Sequence, residues 1–120
     1  MSENQAYDKA LVFAKGVLVL YKKLIQNQEY ILSKQLLRSG TSIGANISEA
    51  ISAHSKKEFH CKINIALKEA RESKYWLSLL ATSPILGVNY DNYLDDVETI
   101  IRILAKTAKT TQQNLKIESS

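Results

Sequence analysis

Apolar residues recur along most of this chain at spacings of three and four, the signature of helices that each bury one side. The clearest case centres on the stretch from Gln35 to Ala50. There Leu32, Leu36, Ile43, Ile47 and Ala50 fall on one stripe together with Ser39, while Arg38, Ser42 and Glu49 gather on the opposite side. The local composition opposes a helix, because the stretch holds two glycines and several Ser, Thr and Asn residues. A glycine inside a helix costs roughly 1 kcal/mol relative to alanine. The periodicity nevertheless crosses Gly40 and Gly44 in phase. The reading is therefore one continuous buried helix, not two short helices divided by a loop. Gly40 and Gly44 lie four apart on one shoulder of the stripe, where small residues let a second helix come close.

The same pattern places three more helices around this one. Helix 1 is expected over about residues 5–26, with Ser2 and Gln5 spaced as a capping box. Tyr7, Ala10, Leu11, Ala14, Val17, Leu18, Tyr21 and Ile25 form its main face. Phe13, Leu20 and Leu24 flank that face, and Val12 and Val19 lie further round. A helix apolar on nearly every side is usually buried on more than one, which points to self-association. Asn27 to Glu29 form a short polar connection to helix 2, expected over about 28–53. Helix 3 is expected over about 55–82. It is opened by the capping box of Ser55 and Glu58 and carries the stripe Phe59, Ile63, Ala66, Ala70, Ser73, Leu77 and Leu80. Tyr75, Leu79 and Cys61 point away from that stripe. Pro84 marks the end of this segment, and Ile85 to Val88 read as a loop. Asn89 is the expected N-cap of helix 4, over about 90–115, with Tyr90, Leu94, Val97, Ile101, Leu104, Ala105, Ala108 and Leu115 on one face. Short connections between long amphipathic helices predict an all-α, antiparallel, up-down-up-down four-helix bundle spanning residues 1–120 as one domain.

Composition narrows the class further. The chain has 120 residues, is 45% hydrophobic and 23% charged, and contains one proline and four glycines, too few for a turn-rich sandwich or barrel. No apolar run approaches the roughly 18 residues of a membrane span. No basic region followed by an apolar core opens the chain, so a cytoplasmic protein without membrane association is expected. Cys61 is the only cysteine, which rules out an internal disulfide and fits a reduced compartment.

Candidate chemistry is sparse. Cys61 and His60 are adjacent, but neighbours on a helix point about 100° apart, which is poor geometry for a nucleophile and its base. His54 and His60 have no cysteine or carboxylate cluster to complete a metal set. No Glu is followed three residues later by His, as a di-iron bundle would require. The residues therefore predict no enzyme, no metal and no cofactor. The remaining signal is basic charge: a formal net charge of +4 and a pI near 9.2. Lys56, Lys57, Lys62, Lys68, Arg71 and Lys74 on helix 3 are the candidate nucleic-acid contacts, to backbone phosphates. They do not form one continuous stripe in the sequence reading, since acidic residues interrupt them.

Two motifs carry a resemblance. One is Glu29-Tyr30-x-Leu32-x-x-Gln35-Leu36-Leu37-Arg38-Ser39-Gly40-Thr41-Ser42-Ile43-Gly44-Ala45-Asn46-Ile47-x-Glu49-Ala50. The other is Ile65-Ala66-x-Lys68-Glu69-Ala70-x-Glu72-x-x-Tyr75-Trp76-Leu77. Together they resemble a family of small bacterial four-helix bundle proteins encoded in intervening sequences of large-subunit ribosomal RNA genes. The resemblance covers nearly the whole chain. It implies a homopentamer in a bacterial cytoplasm. It also implies kinship with accessory proteins of diversity-generating retroelements, which are basic pentameric bundles that bind nucleic acid and a reverse transcriptase. Arg38, Asn46, Glu49, Glu69 and Glu72 match motif positions and read as a structural polar network between helices or subunits. The expectation is a non-enzymatic homo-oligomer that binds RNA or DNA through phosphates. The alternative is a protein-protein interaction scaffold with no nucleic-acid role.

Overall fold

Each apolar stripe finds its partner in the fold. The structure, a computed structural model, describes residues 3–83 and 88–119. Four helices run α1 Glu3–Gln26, α2 Leu32–Ile51, α3 Lys56–Leu80 and α4 Asp91–Ser119, with no strand among the described residues. They form a four-helix bundle of 55 × 22 × 22 Å. α2 packs most extensively on α3, and α1 and α4 touch least. Among the described residues no helix is long and apolar enough to cross a membrane.

α2 is unbroken through both glycines. Leu36, Ile43, Ile47 and Ala50 are buried, and Leu32 is half-buried. A Cβ on Gly40 would stand 3.1 and 3.2 Å from the two methyl carbons of Val17, close enough that Val17 would have to give by a few tenths of an ångström. At Gly44 the same atom would meet Ala10 at 3.6 Å, an ordinary contact. Ser39 and Ser73, the hydroxyls within the two apolar stripes, are fully buried and 2.8 Å apart across the α2–α3 interface. One donates to the other, and the remaining hydrogen goes to a carbonyl of its own helix, Leu36 or Glu69. This satisfies both groups without water.

The core stripe of α1 is rotated from the expected one. Ala6, Ala10, Phe13, Val17, Leu20 and Leu24 are buried, whereas Leu11 and Leu18 are 41% and 46% exposed. Periodicity alone placed Leu11 and Leu18 inward because the helix is apolar on so many sides that its stripe has no sharp edge. In α4, Ile100 and Ile103 join the expected core residues, while Leu94, Ala105 and Leu115 are half-buried.

The helix ends also differ from the sequence expectation. α2 begins at Leu32 and not at Gln28 because α1 closes with a Schellman turn. Gln28 adopts φ 65°, its N–H donates to Ile25 O at 3.0 Å, and the Glu29 N–H donates to Leu24 O at 2.9 Å. The Glu29 carboxylate then accepts from the N–H groups of Ile31, Leu32 and Ser33, and so caps α2 from outside it. The motif residue Glu29 thus has a local role. At α3 the Ser55 hydroxyl accepts from the Glu58 N–H as expected, but the Glu58 carboxylate accepts from His54 rather than from Ser55. At α4 Tyr90 supplies the first helical carbonyl, and Asn89 acts one residue earlier by accepting from the Asp91 N–H. α4 also continues past residue 115 to Ser119. The Ser2–Gln5 box and Pro84 lie wholly or partly outside the described residues.

Candidate nucleic-acid interface

α3 presents its buried stripe to the rest of the bundle, so its opposite side must face solvent. At about 100° per residue, Lys57, Cys61, Asn64, Lys68, Arg71 and Tyr75 recur at i+3 or i+4 along that outer side, and each is exposed. No Asp or Glu stands in this stripe, and no ion pair engages Lys57, Lys68 or Arg71 among the described residues. The stripe spans about 27 Å at 1.5 Å per residue.

The other candidate cations turn to the flanks and are neutralised. Lys56 Nζ lies 2.5 Å from Glu118 Oε1, Lys62 Nζ 3.1 Å from Glu49 Oε1, and Lys74 Nζ 2.6 Å from Glu98 Oε2. The hydrogen bond from Lys74 holds the Glu98 carboxyl below its ordinary value. The acids that interrupt the cations in sequence therefore do not interrupt them in space. Glu69 and Glu72 turn toward Arg38 of α2, and Glu58 is taken up by the His54 N–H before the helix.

The motif residues divide as well. Arg38 Nη1 donates to Glu69 Oε2 at 3.1 Å, and Arg38 Nη2 donates to Glu72 Oε2. Glu72 Oε2 also accepts from Trp76 Nε1 at 3.0 Å. Arg38, Glu69, Glu72 and Trp76 thus form one α2–α3 network. Glu49 pairs separately with Lys62. Asn46 bonds within its own helix, its amide donating to Ser42 O at 2.9 Å. The Arg38 side chain is 49% exposed, so the cluster lacks the large penalty for breaking a fully buried ion pair. Trp76 stands four residues after Glu72, one helical turn on, which brings its indole N–H within reach of that carboxylate. Trp76 in turn meets the neighbouring Tyr75 ring edge-on, with centroids 5.0 Å apart and planes at 71°.

No catalytic arrangement forms around the histidine and cysteine. The Asn64 amide donates to His60 Nε2 at 2.9 Å, so Nδ1 carries the hydrogen and donates to Thr111 Oγ1 at 2.5 Å. Both ring nitrogens are engaged, Nδ1 joining α3 to α4 and Nε2 bonding within α3, and Cys61 points outward. A groove of about 670 Å³ beside α4 is lined by Phe59, Ile103, Arg102, Lys106 and several threonines, with no carboxylate or histidine among its walls. Among the described residues no cluster of His, Cys, Asp and Glu is arranged to hold a metal ion.

Apolar groups outside the core are concentrated on α1. Val12 and Val19 are 64% and 65% exposed, Val12 beside Thr99 and Ile100 of α4, and Leu11 and Leu18 are exposed as well.

Comparison with known proteins places these residues in a wider set. The family profile described as 23S rRNA-intervening sequence protein matches residues 2–106. Among solved structures, a protein of unknown function from the S23 ribosomal protein family of Bacteroides thetaiotaomicron is 46% identical. It superposes with a TM-score of 0.84 over 91% of this chain and 99% of that chain. No curated protein matches the chain.

Proposed function

The chain belongs to the 23S rRNA-intervening sequence protein family, and from that membership we propose that it is a non-enzymatic, homo-oligomeric bundle that binds RNA or DNA through backbone phosphates. The observation that carries the reading is the acid-free outer stripe of α3, where Lys57, Lys68 and Arg71 stand exposed and unpaired. Unpaired cations release counterions from a polyanion at no cost in broken ion pairs, which makes these three better phosphate contacts than Lys56, Lys62 or Lys74.

The helices run antiparallel, up-down-up-down. The order of the α2–α3 pairs supports this: Arg38 meets Glu69 and Glu72, and Glu49, further along α2, meets Lys62, further back on α3. The assembly is a homopentamer by resemblance. Support for self-association comes from Leu11, Val12, Leu18 and Val19, four exposed aliphatic side chains on one helix. In a pentamer the charge of +4 per chain scales to roughly +20, a field that draws polyanions. The setting is the bacterial cytoplasm. The polar network of Arg38, Glu69 and Glu72 is structural and holds α2 to α3. The same aliphatic side chains favour a second reading, an interaction scaffold in which α1 docks other proteins and the charge serves solubility.

RNA binding followed by fluorescence anisotropy across a salt series, with mass by light scattering on the same sample, tests the proposal. Binding weakens steeply with salt, with a log-log slope near −0.7 for each phosphate neutralised on a single strand. Replacing Lys57, Lys68 and Arg71 by Glu abolishes binding at unchanged mass, while replacing Lys56, Lys62 and Lys74 weakens it less. A defined oligomer that binds no RNA at low salt makes the scaffold the better reading.

A further inference from the structure

We propose that Tyr75 is a base-stacking residue, so that the α3 stripe takes single-stranded nucleic acid in preference to duplex. The proposal rests on the phosphate-binding reading above and adds the form of nucleic acid. Tyr75 is 59% exposed and shares the outer side of α3 with Arg71, one turn away, and Lys68, two turns away. It is the only aromatic side chain in a stripe otherwise built of cations, Asn64 and Cys61.

Its ring is held in place by a chain of contacts. Trp76 meets it edge-on, the Trp76 Nε1–H donates to Glu72, and Glu72 is fixed by Arg38 from the neighbouring helix. An edge-on contact occupies at most one face of the tyrosine ring and leaves the other open. A ring ordered before binding loses less freedom when a base stacks on it. Arg71 and Lys68 follow on the N-terminal side of the ring, about 6 and 11 Å away along the helix axis, where a strand leaving the stacked base toward the start of α3 would bring its phosphates. A duplex keeps its base faces inside the stack and offers the convex side of a helix only its backbone, whereas a single strand can turn a base outward onto an aromatic ring.

The test compares a short oligouridine with an RNA duplex of the same length, by fluorescence anisotropy at fixed salt, using the full chain. Tyr75→Ala, Tyr75→Phe and Arg71→Glu are measured beside the unmodified protein, with circular dichroism for fold and light scattering for mass. Tyr75→Ala is expected to lose about tenfold in affinity for the single strand, to bind the duplex as before, and to keep its salt dependence. Tyr75→Phe retains binding because the ring is kept, and Arg71→Glu weakens both forms. The stacking role alone is overturned if Tyr75→Ala binds both forms like the unmodified protein, an outcome that leaves the phosphate reading intact. A change of mass in Tyr75→Ala puts the ring between copies of the chain and overturns the proposal. Absence of binding to either form by the unmodified protein at low salt overturns the proposal together with the reading it rests on.

Discussion

Gln28 holds φ 65° because the chain must leave α1 and enter α2 within a few residues, and the Schellman hydrogen bonds fix the backbone there. A side chain with a Cβ is disfavoured in the left-handed region by roughly 1–2 kcal/mol, and glycine is free of that penalty. Gln28→Gly is therefore expected to raise the free energy of unfolding by about 1 kcal/mol, read by urea denaturation at matched protein concentration. A destabilised variant would mean that the glutamine side chain makes a contact worth more than the strain. The buried serines make a second prediction at this scale. Ser73→Ala leaves the Ser39 hydroxyl facing a methyl group and is expected to cost about 1–2 kcal/mol. The double variant with Ser39→Ala leaves nothing unsatisfied, so its cost falls below the sum of the single ones. Strict additivity would show that the 2.8 Å contact contributes no coupling.

Among the elements, α2 is the one whose sequence and structure pull hardest against each other. Its two glycines look equivalent in the chain, yet the fold treats them differently. Val17 stands at 3.1 and 3.2 Å from the position of a Gly40 Cβ, is fully buried, and is stiff at χ1. Gly40→Ala is thus expected to destabilise by about 1–3 kcal/mol through overpacking. Gly44 has room, and Gly44→Ala is expected to stabilise by about 0.5–1 kcal/mol through helix propensity. Thermal melts of the two variants at equal concentration separate these signs. Equal and favourable shifts would show that α1 moves away from α2 at little cost. On α3 the helical repeat does the sorting, since residues three and four apart share a side. That is why Lys57, Lys68 and Arg71 separate from the lysines that turn toward Glu49, Glu98 and Glu118.

Across the whole molecule, α1 carries the largest group of exposed aliphatic side chains, Leu11, Val12, Leu18 and Val19, with Val12 beside the sparsely packed α1–α4 seam. Val12→Asp with Val19→Asp removes apolar surface that is already 64% and 65% exposed in the single chain. The fold of one protomer is therefore expected to survive, with little change in helical content. The mass by light scattering is expected to fall toward that of the 13.5 kDa chain at micromolar concentration. An unchanged mass would move the subunit contact to another surface. The two ends of the bundle also differ in how they are tied. His60–Thr111 and Lys56–Glu118 join α3 to α4 near one end, and the Glu29 cap orders the other.

The helical class, the four helices and most of the core are readable from the chain alone, because a stripe at spacings of three and four survives any tertiary detail. The continuity of α2 through Gly40 and Gly44 and the outward direction of Tyr75 and Cys61 were legible for the same reason, and the Ser55 cap from the spacing of Ser55 and Glu58. Packing against the other helices settled which side of α1 is buried, since a helix apolar all round carries no phase of its own. It also decided where α2 begins, because a glutamine in a left-handed turn leaves no mark in composition. Most of all it decided which lysines remain available. Whether a cation is paired depends on carboxylates brought close by packing: Glu49 lies on α2, and Glu98 and Glu118 lie on α4, distant in the chain from the lysines they neutralise.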